Sequence, residues 1–473
     1  MPATGADERT FRDSLATVDQ HGRRIWVYPD APSGRYYTAR KLLSYVLLAF
    51  LFAAPFLKIA GNPLLQFDIV NRRFFIFGAS FWPQDFYLFV LSVIALVVFI
   101  ILFTAAFGRL FCGWVCPQTV FMEMLFRRIE FLIEGSGARQ RAFDRTPMTP
   151  QKFARKALKH TIFFALSFVI GNVFLAYFIG GDALIHIVTS PVTAHPGGLT
   201  IMVLFSLTFY GVFARFREQV CTLVCPYGRL QSVLLDDNSI VVAYDFKRGE
   251  PRGHVSKSAP ASPLGDCIDC NACVTVCPTG IDIRNGTQLE CIHCTACMDA
   301  CDRIMTRVSR PKGLIRYSSM SGIAGGRGFR VTPRIILYTV VFTALVALIS
   351  FLVAARADVE TTILRAAGSL YEQLDDGRIR NLYTVKILNK TARDQSIQLT
   401  LKGVQGQLEI LGPPLNIPGR QSGQSVFTVV IPPDKLYSAT TMITVEVRNA
   451  DGVLEEIRTN FAGPEPKRGG QNQ

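Results

Sequence analysis

Eight cysteines between residues 267 and 301 constrain this chain more than any other feature. Cys267, Cys270, Cys273 and Cys277 form one C-x2-C-x2-C-x3-C run, and Cys291, Cys294, Cys297 and Cys301 form a second run 14 residues later. A cubane cluster needs four thiolates at its corners. Close spacing lets one loop supply three of them while a distant cysteine supplies the fourth, and two runs in tandem exchange that fourth ligand. The expected sets are therefore Cys267, Cys270, Cys273 and Cys301 for one [4Fe-4S] cluster, and Cys291, Cys294, Cys297 and Cys277 for the other. Pro278 follows the first run as this pattern asks, whereas Asp302 takes that place in the second. A zinc ribbon uses four ligands in two separated pairs, so two runs of four point away from zinc and from disulfides. Two neighbouring clusters make an electron wire.

The remaining four of the 12 cysteines stand in two C-x3-C-P pairs, Cys112/Cys116 and Cys221/Cys225, followed by Pro117 and Pro226. No cysteine is left for scattered disulfides, which suits a reducing compartment. The pairs read as an internal repeat, each placed just after an apolar run and near an arginine, Arg109 or Arg217. Proline suits the first turn of a helix. A helix starting there would set Cys116 and Cys225 at a positive dipole end and favour their thiolates. A helix running through each pair would instead put both sulfurs on one face. Either way the pairs suit a soft-metal site such as Cu(I), a further redox centre or a reversible dithiol, unless they are packed as small buried residues.

The chain is 49% hydrophobic yet carries a net charge of +14, a combination natural to a membrane protein with basic flanks. The charge is spread between apolar runs and forms no single basic fold, which argues against nucleic acid. Apolar runs at about 42 to 60, 86 to 107, 161 to 179, 199 to 216 and 335 to 354 are expected as five spans. Seven Lys or Arg residues precede the first, ten lie between Gly108 and His160, and none lies between Gly180 and Gly198. The expected orientation is a cytoplasmic N-terminus, cytoplasmic cysteines and an outer C-terminus. Residues 1 to 40 show no apolar core with a cleavage site, so no removable signal peptide is expected.

The expected organisation is an N-terminal cytoplasmic segment (1–40), a membrane bundle (41–216) and a cytoplasmic ferredoxin-like domain (217–333) that begins with the second thiol pair. A last span (334–355) and an outer all-β sandwich with its tail (356–473) follow. The sandwich is read from short strands such as LYTVKIL, SVFTVVI and MITVEVR parted by turn signals. Glu123, Arg127, Glu130 and Glu134 form a stripe on an amphipathic helix lying on the membrane surface or against the bundle, with Glu123 and Arg127 as an i, i+4 pair. His186 and His195 in an outer loop read as solvated rather than ligating. His293, inside the second run, is placed to act near a cluster sulfur.

Two C-x3-C-P pairs at span ends, a double ferredoxin motif, one more span and an outer sandwich opening on RNLYTVKILNKT together resemble the CcoG family, the cytochrome c oxidase accessory proteins also called FixG or RdxA. The wider likeness is to membrane ferredoxins of the NapH and NosR types. The resemblance implies an immunoglobulin-like tail, a bacterial inner-membrane location and reduction of Cu(II) to Cu(I) on the cytoplasmic side during maturation of cbb3-type oxidase. Its implied partners are a copper transporter or chaperone and oxidase assembly factors. Two other functions compete: a quinol-linked subunit feeding another redox protein, and a non-catalytic redox-sensing scaffold.

Overall fold

The computed structural model describes residues 16–464, apart from 20, 60, 70–72, 83–84, 255–263, 327–329, 367–369, 392, 420 and 437. The chain divides into two compact units, one ending at Ile349 and the other starting at Ser350. In the first, α1 covers Arg35–Ala53, α2 Phe86–Phe107, α3 Leu110–Trp114, α4 Arg127–Glu134, α5 Pro150–Ile179 and α6 Pro196–Gly211. They are followed by α7 (Pro226–Leu234), α8 (Ala272–Thr275), α9 (Ala296–Arg307) and α10 (Pro333–Ala354).

Among the described residues four helices are long and apolar enough to cross a membrane: Phe86–Phe107, Pro150–Ile179, Pro196–Phe216 and Pro333–Ala354. Their positions agree with the last four apolar runs. Helix α5 begins earlier than its run because Thr149 caps it, its hydroxyl accepting from Lys152 N at 3.2 Å, with Pro150 in the first turn. The run expected as the first span forms α1 instead, displaced toward its basic end. Arg35, Arg40 and Lys41 occupy its first turns, and the helix stops before Pro55. Arg40 is buried and donates to the Gly113 carbonyl at 2.6 Å, so this end of α1 is docked against α3. Between α1 and α2 the chain builds an unforeseen three-stranded antiparallel sheet from Leu65–Asp68, Arg73–Ile76 and Ala79–Phe81.

The cysteine-rich region is closed by a two-stranded antiparallel ribbon, Val241–Tyr244 against Ile315–Ser318. Val242, Tyr244, Ile281, Ile283, Met298, Met305 and Leu314 pack with the cysteines into one core. Helix α9 explains the missing proline of the second run. Asp302 lies inside this helix, where proline would remove a backbone hydrogen bond, and its carboxylate accepts from Gly313 N at 2.8 Å. One turn earlier, the buried Asp299 accepts from Tyr36 N (3.2 Å) and Tyr37 N (2.7 Å), capping α1 from another element. Asp299→Ala should destabilise the protein by about 1–3 kcal/mol, because two amides lose their acceptor. Asp299→Asn should cost less. A melting curve in detergent checks this, and an alanine variant that melts with the parent would show the cap to be dispensable.

The second unit contains two main antiparallel sheets and a short two-stranded pair, Gln395–Ser396 with Asn416–Ile417. One main sheet orders Gln407–Ile410, Ser422–Ile431, Ile379–Asn389 and Val359–Arg365; the other orders Gln398–Lys402, Thr440–Asn449 and Gly452–Ala462. Alternate residues of Ile379–Asn389 point inward, and Tyr383 stacks on Phe427 with ring centroids 5.3 Å apart. Val385, Val429, Ile431, Val445, Val447 and Phe461 complete the core of a sandwich. The strands read from sequence are present; Val359–Arg365, directly after the last span, was not among them.

Candidate electron-transfer centre

The cysteine runs line two cavities of about 340 and 350 Å3. The first is walled by Cys267, Cys270, Cys273 and Cys301, with Tyr244, Met305 and Leu314 around them. Cys277, Cys291, Cys294 and Cys297 wall the second, with Val242, Ile281 and Ile283. Each cavity thus gathers three thiols from one run and the fourth from the other, and Cys273 touches both. Four thiols around an apolar chamber are the donor set that a [4Fe-4S] cluster takes, and such a cluster supplies one-electron transfer.

Backbone geometry repeats between the runs. Asp269 and Asn271, on either side of Cys270, have φ of 55° and 57°. His293 and Thr295, on either side of Cys294, have φ of 53° and 64°. Four non-glycine residues in the left-handed region are costly and persist only where their surroundings impose them. Here they turn the chain around each middle cysteine. Arg284 supports the first loop, bonding Asn271 (2.6 Å) and Asp282 (2.6 Å) and pairing with Asp269.

The C-x3-C-P pairs are not surface loops. Cys116 and Cys225 stand immediately before helices that open on Pro117 and Pro226, with matching backbone angles. The helix therefore starts at the proline and does not run through the pair. At Cys116 the expected thiolate bias does not follow, because burial raises this thiol despite its backbone hydrogen bonds; burial also pushes Cys112 up to about 11 and Cys221 up to about 12. Helix α7 touches both pairs: a Cβ added at Gly228 would lie 2.3 Å from the Cys221 carbonyl oxygen and 3.8 Å from Cys225 Cβ, and Gln231 of the same helix reaches Cys112. The fully buried Gln231 amide, unforeseen from sequence, lies 3.4–3.5 Å from Cys112 Sγ.

This thiol group abuts the second cavity. Gly113, between the cysteines of the first pair, lies so close to the second run that an added Cβ would sit 2.3 Å from the Ile292 carbonyl oxygen. Cys112 packs against Ile292 and Cys294. A third cavity of about 300 Å3 is lined by Thr119, Met122, Glu218 and Cys221 on one side and by Thr279 and Ile292 on the other. Those last two residues also line the second cavity.

His293 stands at the same junction. Its Nδ1 accepts from Arg109 N at 3.0 Å, which puts the ring proton on Nε2. Burial, with Arg109 beside it, pushes this imidazole down to about 3, so the ring is neutral. The arginine side chain donates to the Leu289 and Gly228 carbonyls, tying the first pair to the second run and to α7. His186 and His195 are exposed. Among the described residues no group of three or more His, Cys, Asp and Glu forms a site for a single metal ion.

The stripe Glu123, Arg127, Glu130 and Glu134 does not face water or lipid headgroups. Its last three members are buried, and its apolar neighbour Leu132 is 86% exposed. Arg217 makes a bidentate pair with Glu130 at 2.7 and 2.8 Å, Lys159 reaches Glu134 at 2.9 Å, and Arg24 reaches Glu218 at 2.7 Å. The expected i, i+4 pair is present, with Arg127 3.4 Å from Glu123. This network holds Glu218, and with it Cys221, against the stripe.

Three family models match the chain. A 4Fe-4S dicluster domain covers residues 216–320, a 4Fe-4S binding domain covers 89–135, and the IG-like fold at the C-terminus of FixG covers 349–464. The nitrogen fixation protein FixG of Rhizobium meliloti is 32% identical over 93% of this chain and 90% of its own length. Protein RdxA of Cereibacter sphaeroides is 37% identical over 81% of this chain and 83% of its own. The crystal structure of a FixG-related protein from Vibrio parahaemolyticus aligns with 23% of this chain and 97% of its own at 23% identity and a TM-score of 0.20. With both cluster cavities built from its own cysteines and relatives matched along most of its length, the chain belongs to the FixG/RdxA family of iron-sulfur proteins.

Proposed function

We propose that this protein reduces Cu(II) to Cu(I) on the cytoplasmic side of the bacterial inner membrane, for assembly of cbb3-type cytochrome c oxidase. Cys267, Cys270, Cys273 and Cys301 would hold one cluster and Cys277, Cys291, Cys294 and Cys297 the other, and the two would supply one-electron transfer. Cys112, Cys116, Cys221 and Cys225 receive the ion. The observation that supports this reading is that Cys112 packs with Ile292 and Cys294 of the second cavity, while Cys221 lines a neighbouring cavity that shares Thr279 and Ile292 with it. Cu(II) prefers nitrogen and oxygen donors and Cu(I) prefers thiolate, so one electron delivered at this junction leaves the ion beside its favoured ligands. The reaction consumes one electron per copper and needs no acid or base from the protein.

In this reading α1 also crosses the bilayer. Five crossings put the cysteines on the cytoplasmic side and the immunoglobulin-like unit outside. Copper transporters or chaperones then take Cu(I) from the inner face, and oxidase assembly factors meet the outer unit.

The test is anaerobic stopped-flow mixing of dithionite-reduced protein with Cu(II), following cluster oxidation and capture of Cu(I) by a chromogenic chelator. Parent protein should yield about one Cu(I) per electron lost. A Cys112, Cys116, Cys221 and Cys225 to Ser variant should keep its iron and lose most of the copper yield. Reduced clusters that Cu(II) leaves untouched would sink the copper reading.

A further inference from the structure

All twelve cysteines are among the described residues, and Cys270 alone is exposed. It belongs to the first cavity, while the thiols of the second are buried or half-buried and lead on to the C-x3-C-P group. From solvent inward the order is therefore first cavity, second cavity, paired thiols. An electron source in water meets the wire at Cys270. A membrane quinol would meet it at the opposite end, where each thiol pair begins five residues past a span.

The surface around Cys270 is made of basic loops bonded to the first run. Cys267 N donates to the carbonyl of Gly249, next to Arg248, and Gly253 N, next to Arg252, donates to the Cys267 carbonyl at 3.2 Å. Arg310 donates to the Gly265 carbonyl at 2.7 Å, and Arg248 to the Lys312 carbonyl at 3.0 Å. The nearby acids are already matched, Asp266 by Arg248 and Asp269 and Asp282 by Arg284. Arg307 and Lys312 are exposed and have no acidic partner among the described residues. Leu264, packed close to Gly253, is 39% exposed, and Ile268, in the wall of the first cavity with Cys270, is half-buried, so apolar surface adjoins these basic loops. Transient electron-transfer contacts have this form: small, with complementary charge guiding the encounter.

We propose that these basic loops are the docking surface of a small acidic carrier protein that delivers single electrons beside Cys270. The inference rests on the reading that the eight cysteines hold iron-sulfur clusters, and it supplies the donor side of the copper reaction. One electron leaves the reduced carrier and enters the group held by Cys267, Cys270, Cys273 and Cys301. No bond forms or breaks and no proton is required.

The experiment uses full-length protein in neutral phosphatidylcholine nanodiscs and fluorescently labelled flavodoxin as the acidic one-electron probe. Binding should be measurable at low ionic strength and fall steeply with salt. Arg307→Glu combined with Lys312→Glu should weaken it by about tenfold or more. The same charge change on the second unit, Lys386→Glu with Lys435→Glu, should leave it unchanged. Equal losses in both double variants, or none in the first, overturn the proposal. So do basic loops that bind phosphatidylglycerol vesicles and not flavodoxin, which would make them a lipid contact. Dithionite-driven copper reduction is measured on the same samples. If it persists without flavodoxin binding, only the docking inference falls; if binding persists without copper reduction, only the copper reading falls.

Discussion

Replacing Cys270 and Cys301 together by alanine removes one cluster, and replacing Cys270 and Cys277 together removes both. Each double variant takes one cysteine from the middle of the first run, so run-by-run ligation would give the opposite result. Cys301 would then belong with Cys291, Cys294 and Cys297, and its loss alongside Cys270 would empty both sites. The cavities decide the expectation: the first includes Cys301 and excludes Cys277, and the second includes Cys277 and excludes Cys301. Iron analysis should fall from about eight atoms per chain to about four in the first double variant and to near zero in the second. Reversed iron contents would overturn the exchanged assignment.

The iron-sulfur character was legible because cubane chemistry writes itself into spacing, and no tertiary information is needed to see two runs of four. What bends the loops was not legible. The left-handed residues beside Cys270 and Cys294 are Asp, Asn, His and Thr, with no glycine to advertise positive φ. The four long spans were visible for a similar reason, since an uncharged run of some twenty residues has few other uses. Helix α1 was displaced because its polar end is held by Gly113 and Asp299, partners far away in sequence.

Charge and burial were hard to read in two places. Glu123, Arg127, Glu130 and Glu134 left two placements open, the membrane surface or the bundle, because acidic and basic side chains are seldom buried unless paired. The partners, Lys159 in the N-terminal half of α5 and Arg217 just after the apolar helix Pro196–Phe216, were in view as basic flanks. Only the fold shows that they turn inward onto that stripe. The thiolate bias expected at Cys116 considered the helix end and not the cost of burial, which dominates. The two thiol pairs are also an imperfect repeat. Counting four residues back from the first cysteine of each pair gives Gly108 in one copy and Arg217 in the other, so Arg109 and Arg217 are not equivalent.

That mismatch leads to the other large expected effect. Gly108 and Arg217 share one backbone conformation, φ 58° and ψ −134° against φ 55° and ψ −121°. Glycine tolerates it and arginine does not, at a cost of about 1–3 kcal/mol. What holds Arg217 there is its bidentate pair with Glu130. Burial works against the Glu130 carboxylate, but Arg217 and Lys159 outweigh it and hold the group below the usual carboxylate range. Its contribution to stability is therefore present above that range and is lost as pH falls through the lowered value. Glu130→Ala leaves Arg217 charged, buried and strained, and should destabilise the protein by about 3–5 kcal/mol. Arg217→Gly should cost less, since it relieves the backbone and leaves Glu130 with Lys159 at 3.6 Å. If strain and pairing are the two terms, Glu130→Leu with Arg217→Gly melts closer to the parent than Glu130→Ala does; a double variant as unstable as that single one would show that the network is held by something else. Because Glu218 and Cys221 follow directly from Arg217, the same Glu130→Ala variant should lose Cu(I) capture at temperatures where its clusters remain intact.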